Sequence, residues 1–301
     1  MDYRQPKRGI KHIVIEDLTD MPTSILKIDR MRVLLIIFLL LPILPKMSLA
    51  CSVLYYVDAK TGKIYVVNSE DYWLDVDAYI QIEPSSKKAY ARLWYGWDNF
   101  AQGGINEQGL FFDAAVTPEQ ERIKGYGNPK NNLGDRLLAS CSTVQEALDF
   151  LEKEKIALND SHMMFGDNTG KAVVVEWVEG ERKLHWIKDN KLIMTNYLLS
   201  APSAGNYPCY RFESIEERIE QMEENGEDID LLKIGNTFGL ASQPAKEAED
   251  GRIGGTVYTS FIDITDNKFV LVYRLSNESV IKLDLEEEFS KSKKQKIKLK
   301  K

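Results

Sequence analysis

The chain has 301 residues, with 46 acidic against 39 basic side chains and a formal net charge of -7. Its densest basic run is the terminal KSKKQKIKLKK, so no broad positive face for nucleic acid is implied, and residues 286–301 read as a disordered basic tail. With the leader described next set aside, about 250 residues remain, which suits one large domain with a substantial core.

Residues 1–30 are mixed in charge and poorly periodic, and they read as an extension ahead of a second start at Met31. Residues 31–50 have the parts of a secretory signal: Arg30 and Arg32 lead, an apolar run follows from Val33 to Leu44, and Ser48 and Ala50 are small. That run is about twelve residues and contains Pro42, short of the ~20 a spanning helix needs, so no stable membrane span is expected after processing. Cleavage between Ala50 and Cys51 would export the protein to the periplasm or the exterior. It would also leave Cys51 with a thiol nucleophile and a free amine on one residue, so that the amine can serve as base. A lipid-anchored cysteine is the competing reading. Its usual large aliphatic residue three places earlier is missing, because Ser48 stands there and Leu49 follows.

From Cys51 the runs SVLYYVD and KIYVVN flank Ala59-Lys60-Thr61-Gly62 and predict a hairpin, with Cys51 at a sheet edge and Asn68, Ser69, Glu70 and Asp71 brought beside it. Strands follow at AYIQIEP and KAYARLWYGW. Asn106 and Gly109 then bracket a reversal into GLFFDAAV. Helical spacing sets in at LGDRLLASC and VQEALDFLEKE, with Thr143 and Glu146 placed as a capping box. HMMFGD, KAVVVEWVEG, KLHWIKD and KLIMTN return to strand composition. RFESIEERIEQMEEN and DIDLLKIGNTF are helical, and TVYTSFIDIT, NKFVLVYRL and VIKLDL close the domain as strands. Strand pairs, helices and strand pairs again predict an α+β sandwich over residues 51–285, with helices outside paired sheets.

His12, His162 and His185 are the only histidines, and no metal-ligand spacing occurs. No Gly-rich phosphate loop is present. Neither a metal nor a cofactor is expected. Cys141 and Cys209 could pair outside the cytosol, although two small buried residues is the simpler reading.

Several motifs occur in an order that resembles the N-terminal-nucleophile amide hydrolases of the choloylglycine hydrolase and penicillin V acylase type, with their acyltransferase relatives. Cys51 stands at the nucleophile position. NSEDYW, GGINEQGLFFD, Met194-Thr195-Asn196, Tyr210-Arg211-Phe212 and Thr256 to Ser260 are similar to later family segments. The resemblance implies a four-layer αββα fold and hydrolysis of linear amide C–N bonds through a thioester on Cys51. It assigns Asp71 to orienting the Cys51 amine and thiol, Asn196 to the oxyanion and Arg211 to a place beside the nucleophile, with Asn68, Glu70, Asn106, Trp73 and Trp97 supporting or binding substrate. A one-residue shift exchanges Glu70 and Asp71. The family's second oxyanion asparagine has no counterpart near Ala115 to Thr117, where a backbone N–H would have to serve. The partner is a small-molecule amide; the sequence is silent on which one and on oligomeric state.

Overall fold

The computed structural model describes residues 51–205 and 207–300, so the expected extension (1–30) and leader (31–50) lie outside the described residues. In chain order the elements are β1 (Ser52–Val57), β2 (Ile64–Trp73), β3 (Tyr79–Glu83), β4 (Arg92–Trp97), β5 (Phe100–Asn106) and β6 (Phe111–Val116). Helices α1 (Leu133–Ser140) and α2 (Val144–Lys153) follow, then β7 (Ser161–Gly166), β8 (Ala172–Val178), β9 (Glu181–Trp186) and β10 (Lys191–Met194). The last part runs α3 (Tyr210–Glu224), α4 (Leu231–Asn236), β11 (Lys246–Glu247), β12 (Ile253–Asp263), β13 (Lys268–Tyr273), β14 (Val280–Asp284), α5 (Leu285–Ser290) and β15 (Gln295–Lys298).

Two antiparallel sheets result. One has the order β10-β1-β2-β12-β13-β14, with β11 on β12, and the other runs β15-β3-β4-β5-β6-β7-β8-β9. The strands of the first alternate between two apolar layers: Val53, Tyr55 and Val66 meet the second sheet, while Leu54, Tyr56, Tyr65 and Val67 meet α3 and α4. α3 serves that layer because Ile215, Ile219 and Met222 recur at helical spacing on one face. On the far side, Leu137, Leu138, Leu148 and Leu151 of α1 and α2 cover Phe112, Met163, Phe165 and Val175. The order is helix, sheet, sheet, helix, the expected αββα sandwich. Half of the expected capping box forms, with Thr143 Oγ1 accepting from the Glu146 N–H (3.2 Å), while the Glu146 side chain reaches one residue further back and accepts from the Ser142 N–H (2.6 Å).

Two expectations change, and the simpler reading of the cysteines holds. β1 is not an edge, because β10 pairs along its other side with Val53 opposite Met194; a strand apolar on both faces belongs inside a sheet. Residues 286–301 are not a loose tail, since β15 pairs with β3 and Leu299 is buried in the inter-sheet layer. Lys296-Ile297-Lys298-Leu299 alternates with a period of two, so the apolar members share a face that the lysines hide in composition. Cys51, Cys141 and Cys209 are all free thiols, and all are buried.

Candidate active site

Cys51 enters β1 where Ser52 faces Ser69 and Val53 faces Asn68. Along β2 successive side chains take opposite faces. Asn68 and Glu70 point into the inter-sheet layer, and Asp71 points toward α3. The Cys51 thiol therefore donates to Glu70 Oε1 (3.1 Å). Asp71 contributes its backbone N–H to the sulfur while its carboxylate lies elsewhere. The resemblance assigns Asp71 to the Cys51 amine and thiol; for the thiol, strand alternation gives the side-chain contact to Glu70.

Asp71 belongs to a second set of contacts. Its Oδ1 accepts from Thr256 Oγ1 (2.5 Å), and its Oδ2 is 3.8 Å from Arg211 Nη1. β12 shifts register against β2 between Thr256 and Tyr258, opposite Asp71 and Glu70, so a bulge re-aims side chains at this point. Arg211, in the first turn of α3, donates through Nη1 to the Cys51 carbonyl (3.2 Å) and through Nη2 to Asn196 Oδ1 (3.1 Å). Its guanidinium thus ties the start of β1 to the segment leaving β10. Asn196 in turn donates through Nδ2 to the Val116 carbonyl (2.8 Å), using one of its two amide protons.

Burial dominates the electrostatics. It pushes Glu70 up to about 7, against hydrogen bonds from Cys51 and Asn68 that pull it down. It pushes Asp71 up to about 8, against Thr256 and Arg211. The Cys51 thiol is raised by burial first and then by the two carboxyls. Behind Glu70, Asn68 Nδ2 donates to Asp113 Oδ1 (3.0 Å) and Tyr95 Oη to Asp113 Oδ2 (3.1 Å). Asp113 is fully buried, and its carboxyl lies well above the usual carboxylate range for that reason, with Glu70 adding to the effect. Asp113 and Thr256 stand in the sequence only as members of the GGINEQGLFFD and Thr256 to Ser260 segments, with no role of their own assigned. The available signal was an aspartate set among apolar residues in GLFFDAAV.

The remaining expected residues are placed as follows. Asn106 is buried in the reversal between β5 and β6, donating to the Leu138 and Cys141 carbonyls (2.8 and 2.7 Å); it holds that turn against α1, away from Cys51. Trp73 stacks under the Arg252 guanidinium (4.2 Å), and Trp97 packs on Tyr72 (4.9 Å). Neither tryptophan lines the cavity at Cys51, a space of about 320 Å³ whose aromatic walls are Phe100 and Phe112. The Thr117 N–H is engaged by the Asp160 carbonyl (2.8 Å) and so is not the second oxyanion donor. His162 lies buried between Glu176 Oε1 (3.1 Å) and the Thr195 carbonyl (2.6 Å), and His185 bonds Glu176 Oε2 (3.1 Å). Glu176 also accepts from the Leu199 and Ser200 N–H groups (2.6 and 2.8 Å), and these contacts hold its carboxyl well below the usual range. Both histidines thus brace the 195–200 segment.

Two antiparallel sheets packed face to face with helices outside, and a buried cysteine at the head of a central strand bonded to a carboxyl on the neighbouring strand, have the arrangement of the N-terminal-nucleophile hydrolase sandwich. The acyl-coenzyme A:6-aminopenicillanic acid acyl-transferase family matches residues 58–272, and the chain belongs to that family. No curated protein matches it. Among solved structures it is similar to a variant of conjugated bile acid hydrolase from Clostridium perfringens, at 18% identity and a TM-score of 0.66, covering 82% of this chain and 96% of that one. Penicillin V acylase from Agrobacterium tumefaciens superposes with a TM-score of 0.64 at 17% identity, covering 82% and 90%. At such identities the likeness is one of fold.

Proposed function

We propose that the protein is an exported cysteine-dependent hydrolase of N-acyl amides that acts once Cys51 has become the N-terminus. The observation that carries this reading is the Cys51 thiol at the inner wall of a cavity, hydrogen-bonded to Glu70 at 3.1 Å. Among the described residues the charges that act on the Cys51 thiol are the Glu70 and Asp71 carboxyls, which disfavour the thiolate. Release of the α-amine places a base and, after proton transfer, a cation beside the sulfur. A thiol near ~8.5 and an α-amine near ~7.7–8 exchange a proton at little cost. Glu70, whose Oε2 has no hydrogen-bond partner among the described residues, then faces an ammonium and returns to its charged form.

The thiolate attacks the amide carbonyl, and the oxyanion accepts a hydrogen bond from the second Nδ2 N–H of Asn196, whose side chain Arg211 holds in orientation. The C–N bond breaks as the α-ammonium returns its proton to the leaving amine. The resulting thioester is hydrolysed by water, or passed to an acceptor amine if the protein works as an acyltransferase. A lipid anchor on Cys51 would instead occupy the sulfur and leave no nucleophile. Incubating a chain that begins at Cys51 with N-acyl amides should release free acid, and Cys51→Ala should abolish release. Equal release by Cys51→Ala would remove Cys51 from the chemistry.

A further inference from the structure

The cavity at Cys51 crosses a sheet. β5 and β6 pair only from Gly103 opposite Asp113 inward. Beyond that point Phe100 and Ala101 pair with Trp97 and Gly96 of β4, while Ala114, Ala115 and Val116 pair with Met163, His162 and Ser161 of β7. The two strands diverge at one end of an otherwise continuous sheet, and the cavity occupies the fork. Its lining includes Cys51, Glu70 and Ala115 from the inter-sheet layer and Ala101, Phe112, Leu133 and Met163 from the layer beneath α1. A fully paired sheet would keep those two layers apart.

We infer that this fork is the acyl subsite and that it takes an unbranched aliphatic acyl chain, threaded from the Cys51 sulfur through the sheet to end against Phe112 and Leu133. The inference rests on the reading of Cys51 as nucleophile. Three features set the class. Alanines at 101, 114 and 115 flank the passage, leaving a slot between two backbones that suits a single-file chain and not a fused ring system. The far end carries no charged side chain, and the charged lining groups are Glu70 at the sulfur and Asp160 at the exposed rim. The volume, about 320 Å³, is at the lower limit of the ~300–1,000 Å³ of small-molecule sites. Gly134 belongs to the same floor. A Cβ there would meet Phe112 Cζ at 2.0 Å, so the glycine allows α1 to sit against the ring that ends the slot.

The test is the rate at which a series of straight-chain acyl chloromethyl ketones, from acetyl to decanoyl, labels Cys51 in a chain beginning at that residue, read by intact mass. Each methylene buried in the slot should raise the rate about fourfold until Phe112 is reached. Ala114→Leu narrows the fork and should lower the decanoyl-to-acetyl ratio by about tenfold. Leu133→Ala deepens the far end and should move the optimum to longer chains, a gain that misfolding would not produce. Rates independent of chain length, a steroid acyl ketone labelling as fast as decanoyl, or no labelling at all would overturn the inference. Hydrolysis of the matching N-acyl amides, read in the same samples, separates the two claims. Graded labelling without hydrolysis keeps the slot and removes the hydrolase reading, whereas hydrolysis without chain dependence removes the slot alone.

Discussion

Glu70 offers the sharpest view of how the site is tuned. In the chain that retains Ala50 its carboxyl is fully buried and pushed up to about 7, from an unperturbed 4.5. A carboxyl whose folded value is raised binds its proton more tightly in the native state. Its contribution to stability is therefore complete below the unfolded value and is lost as pH rises through the folded one. Between pH 4.5 and 7 that loss is on the order of 3 kcal/mol. Glu70→Gln keeps an oxygen to accept from the Cys51 thiol and removes the titration. Urea unfolding of parent and variant at closely spaced pH values should show the parent losing stability relative to Glu70→Gln by that amount across the window. Asp71, pushed up to about 8 chiefly by burial, has the same sign and is present in both proteins, so it cancels apart from the smaller part that the Glu70 charge adds in the parent. In the chain starting at Cys51 the new ammonium lowers Glu70, so the difference should shrink. Parallel pH profiles for parent and variant in the longer chain would refute the placement of Glu70 in a buried environment against the thiol.

Two further outcomes follow from the contacts around the nucleophile. Asn196→Ala removes the proposed oxyanion donor and should lower kcat by about 10²–10³ with KM little changed, as single-turnover measurements would show; activity within threefold of the parent would take Asn196 out of the mechanism. Glu176→Gln keeps the size of the brace but replaces one acceptor with a donor that opposes the Leu199 or Ser200 N–H. It should cost about 1–3 kcal/mol in urea unfolding and reduce kcat by loosening the 195–200 segment, while leaving the rate of Cys51 alkylation near that of the parent.

Much of the sandwich could be read because its strands announce themselves locally. SVLYYV and IYVVN are apolar and β-branched on both faces, Thr143 and Glu146 mark the start of α2, and Ile215, Ile219 and Met222 mark the buried face of α3. β5 was harder to see. Gly103 and Gly104 lower its strand character, yet both are required, since a Cβ on Gly103 would meet Asp113 Oδ2 at 2.1 Å and one on Gly104 the Leu93 carbonyl at 2.4 Å. The site was legible as a set of residues and not as a geometry. Cys51, Asp71, Asn196 and Arg211 do converge, because Arg211 bridges the Cys51 carbonyl, Asp71 and Asn196. Which of two adjacent acids faces the thiol depends on strand phase, and a one-residue choice reverses it. The fork between β5 and β6 depends on which neighbour each strand prefers at its end, a matter of pairing across the sheet that no local run of residues encodes. The tryptophans illustrate the converse: Trp73 and Trp97 are prominent in the sequence but pack against Arg252 and Tyr72.

The central claim, that Cys51 becomes active by becoming the first residue, is tested most directly by comparing two chains in one experiment. One begins at Cys51 and the other retains Ala50 before it, each with its intact mass recorded before and after exposure to iodoacetamide and an N-acyl amide. The account predicts alkylation at Cys51 and release of acid by the first chain. It predicts neither for the second unless its mass shows that residue 50 has been lost. Equal hydrolysis by both, with Ala50 still present on the second, would contradict it, because the nitrogen joined to Ala50 is an amide whose lone pair is delocalised into the carbonyl and cannot accept the thiol proton.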